Sequence, residues 1–183
     1  MGQQLSELSD KLIEFIGEQK LFFVGTATAE SRINVSPKGM DAFRVLNPNR
    51  VIWLNVTGSG NETSAHVQED GRMTVMFCAF TGKPLILRLF GQACVIHPYN
   101  EEWDELFAHF PSIPGARQVF DLNVDLVQTS CGMGVPYYDY VEEREHLTTW
   151  AAKQGPEGLH QYWHDKNQTS LDGIPTHILE KNR

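Results

Sequence analysis

Leu5, Leu8, Leu12, Phe15 and Ile16 recur at helical spacing with Ser6, Glu7, Lys11 and Glu14 between them, so the pattern predicts an amphipathic helix over residues 5 to 19. Gly17 weakens its end. From Leu21 the residues turn to β-formers. Leu21 to Thr28 and Ile33 to Lys38 flank Ala29-Glu30-Ser31-Arg32 and read as a hairpin. Asn47-Pro48-Asn49 is a turn before a third strand, Val51 to Val56. Gly58-Ser59-Gly60-Asn61 follows, and then a short helix to about Glu69. Arg72 to Phe80 alternates Met73, Val75, Phe77 and Ala79 against Thr74, Met76, Cys78 and Phe80, and Leu85 to Ile96 reads as its antiparallel partner across Gly82-Lys83-Pro84. Helical spacing returns from Asn100 to Phe110 through Trp103, Leu106 and Phe107, with Asn100 as N-cap and Pro111 as the stop. Phe120, Leu122, Val124 and Leu126 alternate with Asp121, Asn123 and Asp125 in a sixth strand to about Ser130. Cys131 to Pro136 is loop, and two short helices are expected around Leu147, Trp150 and Ala151 and around Leu159, Tyr162 and Trp163.

Strands joined mostly by short turns imply antiparallel pairing. Six of them without regular helical crossovers predict a mainly β (α+β) fold, a small closed barrel with helices packed outside, and disfavour a doubly wound nucleotide-binding fold. The 183 residues fit one domain, 1–183, with 137–183 as a helical C-terminal extension packed on it. Hydrophobic residues at 41% and charged residues at 21% exclude a disordered or disulfide-scaffold class. The net charge of −8 argues against nucleic acid and anionic membranes as partners, so any phosphate must be held by short-range donors. The longest apolar runs, such as Leu21 to Ala29, fall short of the roughly 18 residues of a membrane span. Cys78, Cys94 and Cys131 lack Cys-x-x-Cys spacing, which argues against a zinc site or disulfide framework and for a reducing, cytoplasmic location. The first residues carry no secretory signal pattern. Met1-Gly2-Gln3-Gln4-Leu5-Ser6 matches an N-myristoylation pattern, the alternative being the ragged start of a helix.

Two glycine-bearing segments carry the candidate chemistry. Ser36-Pro37-Lys38-Gly39 follows the second strand, and Gly58-Ser59-Gly60-Asn61-Glu62-Thr63 follows the third and opens a helix. Glycines let backbone N–H groups approach an anion, a helix N-terminus adds unpaired donors, and Lys38 supplies a point charge. The competing reading is a capped turn with Ser59 and Glu62 as a capping box. Arg88, flanked by Leu87 and Leu89, requires an anion or carboxylate partner, and Arg44 poses the same question. His160 and His164 share a helix face, but Gln161 replaces the glutamate of a zincin, so a solvated face is expected and no metal. No Gly-x-Ser-x-Gly elbow surrounds a serine, and no catalytic residue is identified. Cys131 sits in a loop, while Cys78 and Cys94 read as buried small apolar residues.

Taken in order, Asn34-Val35-Ser36-Pro37-Lys38-Gly39, Gly58-Ser59-Gly60-Asn61-Glu62-Thr63, Met76-Phe77-Cys78-Ala79-Phe80, Ile86-Leu87-Arg88-Leu89-Phe90-Gly91 and Thr129-Ser130-Cys131-Gly132 resemble the pyridoxamine 5′-phosphate oxidase-related family of FMN-binding split barrels. The resemblance spans roughly residues 5 to 136. It implies a six-stranded split barrel and a homodimer with FMN at the interface. By position, Val35, Ser36, Pro37, Lys38 and Gly39 would lie along the isoalloxazine ring, with Trp53 and Leu54 lining the ring and ribityl chain. Ser59, Gly60, Asn61 and Thr63 would fall in the phosphate segment, Arg88 could complete it, and Cys131 and Gly132 would approach from the partner subunit. Asn61-Glu62-Thr63 replaces the Ser-Arg-Lys clamp of the true oxidases, and the tail after Pro136 shows no equivalent of the Trp and Arg they use for flavin and substrate, which speaks against a pyridoxine substrate. The implied activity is an FMN-dependent oxidoreductase passing electrons from a reduced donor such as NAD(P)H to a small acceptor or oxygen. Hydride transfer to a flavin needs no protein base, so the missing acid/base motif is compatible with it. Alternatives are a non-catalytic flavin- or heme-binding protein of the same fold, or deazaflavin in place of FMN.

Overall fold

The computed structural model describes residues 2–182. The elements run β1 (Gln4–Leu5), α1 (Asp10–Glu18), β2 (Phe22–Thr26), β3 (Asn34–Lys38), β4 (Phe43–Asn47), β5 (Arg50–Val56) and α2 (Glu62–Glu69). They continue with β6 (Arg72–Cys78), β7 (Ile86–Ile96), α3 (Trp103–Phe107), β8 (Ala116–Ser130), α4 (His146–Lys166) and α5 (Ile178–Lys181). One eight-stranded antiparallel sheet orders its strands β3-β2-β6-β7-β8-β5-β4, with β1 added to β8. The fold is therefore α+β, a mostly antiparallel sheet with peripheral helices.

Among the described residues eight strands replace the six expected, for two local reasons. Leu5 fits the helical spacing but pairs with Val127, and α1 starts only at Asp10 behind its N-cap Ser9. Phe43–Asn47 is short and mixed in polarity, yet it pairs with β5 through Phe43↔Trp53 and Val45↔Val51. The last long strand also begins at Ala116 rather than Phe120. Asn100 does not cap α3; its side chain instead accepts a hydrogen bond from the His97 N–H at 2.8 Å. The two C-terminal helices expected are the halves of α4, which meet at Gly155 in a left-handed conformation (φ 65°) before Pro156.

β3 and β4 end the strand path, and aromatic side chains span the gap between the two ends. Phe22 meets Phe43 at 5.0 Å between ring centroids, and Phe43 meets Phe77 at 5.0 Å. Val24, Val75, Leu87, Leu89, Leu122 and Val127 fill the interior with no exposed surface, each such burial contributing about 1.5–3 kcal/mol. Gly91 is required at the β7–β8 bulge, because a Cβ there would run into the Asn123 carbonyl. Beyond α4 the chain returns across α2. Leu171 N–H donates to the Glu62 carboxylate at 2.9 Å, Gln68 Nε2 donates to the Thr176 carbonyl at 2.8 Å, and Ile178 is fully buried. Among the described residues, no helix is long and apolar enough to cross a membrane.

Candidate functional site

Strand alternation splits β3 into two faces: Asn34, Ser36 and Lys38 are half-buried, whereas Val35 and Pro37 point outward. The inward set faces a cleft of about 410 Å³. Its far wall is Leu54, Asn55 and Val56 at the end of β5, its floor is the Gly58–Asn61 loop with Thr63 of α2, and Leu147 of α4 closes one side. Asn34 Nδ2 donates to Thr63 Oγ1 at 3.2 Å, which ties β3 to the first turn of α2.

Two cations reach this cleft without a counter-ion. Lys38 Nζ lies 5.2 Å from the centre of the Trp53 ring, and burial together with the nearby charge of Arg117 pushes its pKa down to about 8. Arg117, at the start of β8, is 2% exposed, and burial lowers it to about 9. Its Nη1 donates to Asn167 Oδ1 at 2.7 Å and its Nη2 to the Gly60 carbonyl at 2.8 Å, both neutral acceptors. Beside the guanidinium, the buried Asn55 amide donates from Nδ2 to Gln118 Oε1 at 3.0 Å. Among the described residues, neither cation takes part in an ion pair.

Asn61 adds a second anomaly. It is the N-cap of α2, yet its side chain makes no capping bond, and both Oδ1 and Nδ2 are buried without a partner among the described residues. Each buried unpaired polar group costs about 1–3 kcal/mol. The capping box does not form, since Asn61 rather than Ser59 holds the cap position and Glu62 is turned to the Leu171 N–H.

A second cavity of about 780 Å³ adjoins the cleft at Gly39, Met40 and Ala42, with Phe22, Phe43 and Phe77 on its floor. At the junction Met40 (φ 64°) and Asp41 (φ 52°) are both left-handed, a strain of about 1–3 kcal/mol each. Arg44 holds them: it donates to the Asp41 carbonyl at 2.9 Å and pairs with its carboxylate at 2.9 Å. That pairing answers the question posed by Arg44.

The pyridoxamine 5′-phosphate oxidase family model matches residues 8–131. The chain belongs to this family. A relative from Aspergillus flavus, described as pyridoxamine 5′-phosphate oxidase family protein ustO, is 40% identical over 191 residues, covering 92% of this chain and 75% of the relative. A Lactobacillus delbrueckii crystal structure that carries the provisional name of a pyridoxamine 5′-phosphate oxidase aligns with a TM-score of 0.53 at 20% identity, over 67% of this chain and 94% of that one. HupZ from Group A Streptococcus aligns with a TM-score of 0.52 at 16% identity, over 65% of this chain and 91% of that one. These two structures share the fold.

Of the residues placed by resemblance, Ser36, Lys38, Gly39, Leu54, Ser59, Gly60, Asn61 and Thr63 border the cleft, and Pro37 touches its rim although it occupies an outward position of β3. Trp53 lies behind it in the core, stacked on Phe120 at 4.4 Å and beneath Lys38. Val35, 63% exposed, points the other way. Arg88, Cys131 and Gly132 do not reach the cleft of their own chain. Arg88 lies in a cross-strand row, Pro37–Phe23–Met76–Arg88–Gln128, on the outward face of the sheet. There it donates to Ser130 Oγ at 3.1 Å and, among the described residues, forms no salt bridge. The next row is Val35–Gly25–Thr74–Phe90–Leu126, so this outward face is largely apolar. Gly132 is left-handed (φ 67°) and packed on Leu85, and Cys131 beside it is exposed. Cys78 is buried as expected; Cys94 is exposed, because it occupies an outward position of β7. Arg117, Asn55 and Asn167 escape the sequence pattern. A lone cation just ahead of Val119-Phe120 was the available signal for Arg117.

Proposed function

We propose that this protein is an FMN-binding flavoprotein and an oxidoreductase, working as a cytoplasmic homodimer. The carrying observation is that, among the described residues, half-buried Lys38 and fully buried Arg117 form no ion pair and the Asn61 amide beside them has no partner. A phosphate dianion at this place would pair with Arg117, accept from Asn61 Nδ2 and from the backbone donors of the Gly58–Asn61 loop, and neutralise the charges that burial penalises. The donor set thus fits a phosphorylated flavin better than an uncharged one.

Bound flavin would supply reversible two-electron transfer between a reduced donor such as NAD(P)H and a small acceptor or oxygen. The chain's own part is binding and orientation. Ser36 and Lys38 offer hydrogen-bond donors along one edge of the cleft, Leu54 an apolar wall, and Lys38 a cation where negative charge would gather. The adjoining cavity with its aromatic floor provides room for the donor or acceptor. The outward apolar face supports dimerisation, which would carry Arg88, Cys131 and Gly132 toward the partner's cleft.

The visible spectrum of the purified protein tests this reading. Twin flavin bands, together with aerobic consumption of NAD(P)H, are expected. A single intense Soret band would support a heme protein instead, and no chromophore after FMN titration would remove the proposal.

A further inference from the structure

A guanidinium as deeply buried as that of Arg117 ordinarily meets a carboxylate, since an uncompensated charge is costly to remove from water. Here the closest acceptor is an amide. Asn167, just past the end of α4, is fully buried and works in both directions: Oδ1 accepts from Arg117 Nη1 at 2.7 Å, while Nδ2 donates to the Gly58 carbonyl at 3.0 Å. One side chain therefore links the cation to the glycine loop. Asn167 is itself held from two sides. Its N–H donates to the Trp163 carbonyl at 2.9 Å, and its own carbonyl accepts from Thr176 Oγ1 at 2.5 Å. The tail also grips the backbone of the arginine, because Asn182 Nδ2 donates to the Arg117 carbonyl at 2.7 Å.

An aspartate would fit the same volume and would satisfy the guanidinium better, yet it would cancel its charge. An asparagine orients the cation and leaves the charge available to a ligand. We propose that Asn167 is a positioning residue that presents Arg117, uncompensated, to the phosphate of the bound flavin, so that discrimination between FMN and riboflavin depends on the C-terminal tail. This inference rests on the flavin reading of the cleft. It extends that reading to a segment outside residues 8–131, the stretch matched by the family model.

The test titrates the full-length, ligand-free protein with FMN and with riboflavin, following flavin fluorescence, and records thermal unfolding of each variant. Wild type binds FMN more tightly than riboflavin. Asn167→Asp lowers FMN affinity by about tenfold or more and leaves riboflavin affinity within about twofold, while the melting temperature stays close to wild type, because the ion pair gained by the buried cation offsets the lost donation to the Gly58 carbonyl. A residue that merely supports the fold would shift both flavins together and in step with stability. An unchanged FMN-to-riboflavin ratio in Asn167→Asp overturns the inference. Should that variant fail to fold, Asn167→Ala decides with the same two ligands: a loss confined to FMN supports the inference, and an equal loss for both overturns it. Wild type that binds neither flavin, or both equally, overturns the reading of the cleft itself.

Discussion

Replacing Lys38 with methionine removes a half-buried ammonium while keeping an unbranched chain of similar length. Burial and the neighbouring Arg117 lower the Lys38 pKa from 10.5 to about 8, a penalty on the charged form of about 3 kcal/mol at neutral pH. Its partial exposure and the 5.2 Å contact with the Trp53 ring offset part of that. Ligand-free Lys38→Met is therefore expected to be about 1–2 kcal/mol more stable than wild type at pH 7. The folded-state pKa lies below the unfolded one, so between about pH 8 and 10.5 the unfolded chain holds the proton that the folded chain has released. Wild type accordingly gains stability as pH rises through that window, and the advantage of the variant shrinks. FMN affinity moves the opposite way and falls by about tenfold, because the cation is lost from the cleft. Urea unfolding of both ligand-free proteins at neutral and alkaline pH, with FMN titration at pH 7, measures all three effects. A variant less stable than wild type at pH 7, or an advantage that does not decline with pH, would refute the reasoning.

Asn61→Ala removes two buried atoms that have no partner among the described residues, so the ligand-free melting temperature holds or rises while FMN affinity falls by about fivefold; undiminished affinity would remove Asn61 from the site. Val35→Asp puts a charge on the outward apolar face, and sedimentation should then show a monomer with weakened FMN binding. A monomer that binds FMN like wild type would contradict an interface site. His97, fully buried against Asn182, has its pKa lowered from 6.5 to about 4 by burial. The unfolded chain therefore binds a proton that the folded chain refuses as pH falls from 6.5 toward 4, and up to about 3 kcal/mol of stability is lost over that range. His97→Gln should flatten the acid side of the urea-stability profile relative to wild type, and identical profiles would rule this out.

What the sequence made legible followed from local regularity. The β2–β3 hairpin and the β6–β7 pair rest on alternation and short polar turns, and both form. β1 was hidden because Leu5 satisfies a helical period while its pairing partner, Val127, lies far along the chain. The front of β8 was hidden because Arg117 and Gln118 are polar and buried, against the usual sense of hydropathy. The cleft shows the same division. Lys38 and the Gly58–Asn61 loop stand out as short motifs, whereas Asn167 meets Arg117 across 50 positions and the Gly58 carbonyl across 109, contacts that no periodicity encodes. The order of the motifs, read as a family resemblance, carried the fold further than any single motif, and the residues 8–131 matched by the family model cover the same stretch.

We propose the cleft between β3, the Gly58–Asn61 loop and the start of β8 as a phosphate-anchored flavin site. A crystal structure of the protein grown with FMN tests it most directly. The expected result is a flavin whose phosphate lies within hydrogen-bond distance of the Arg117 guanidinium and the Asn61 amide, with its ring along Ser36 and Lys38 and against a second copy of the chain. FMN bound elsewhere on the protein, or a cleft that stays empty at saturating FMN, would contradict it.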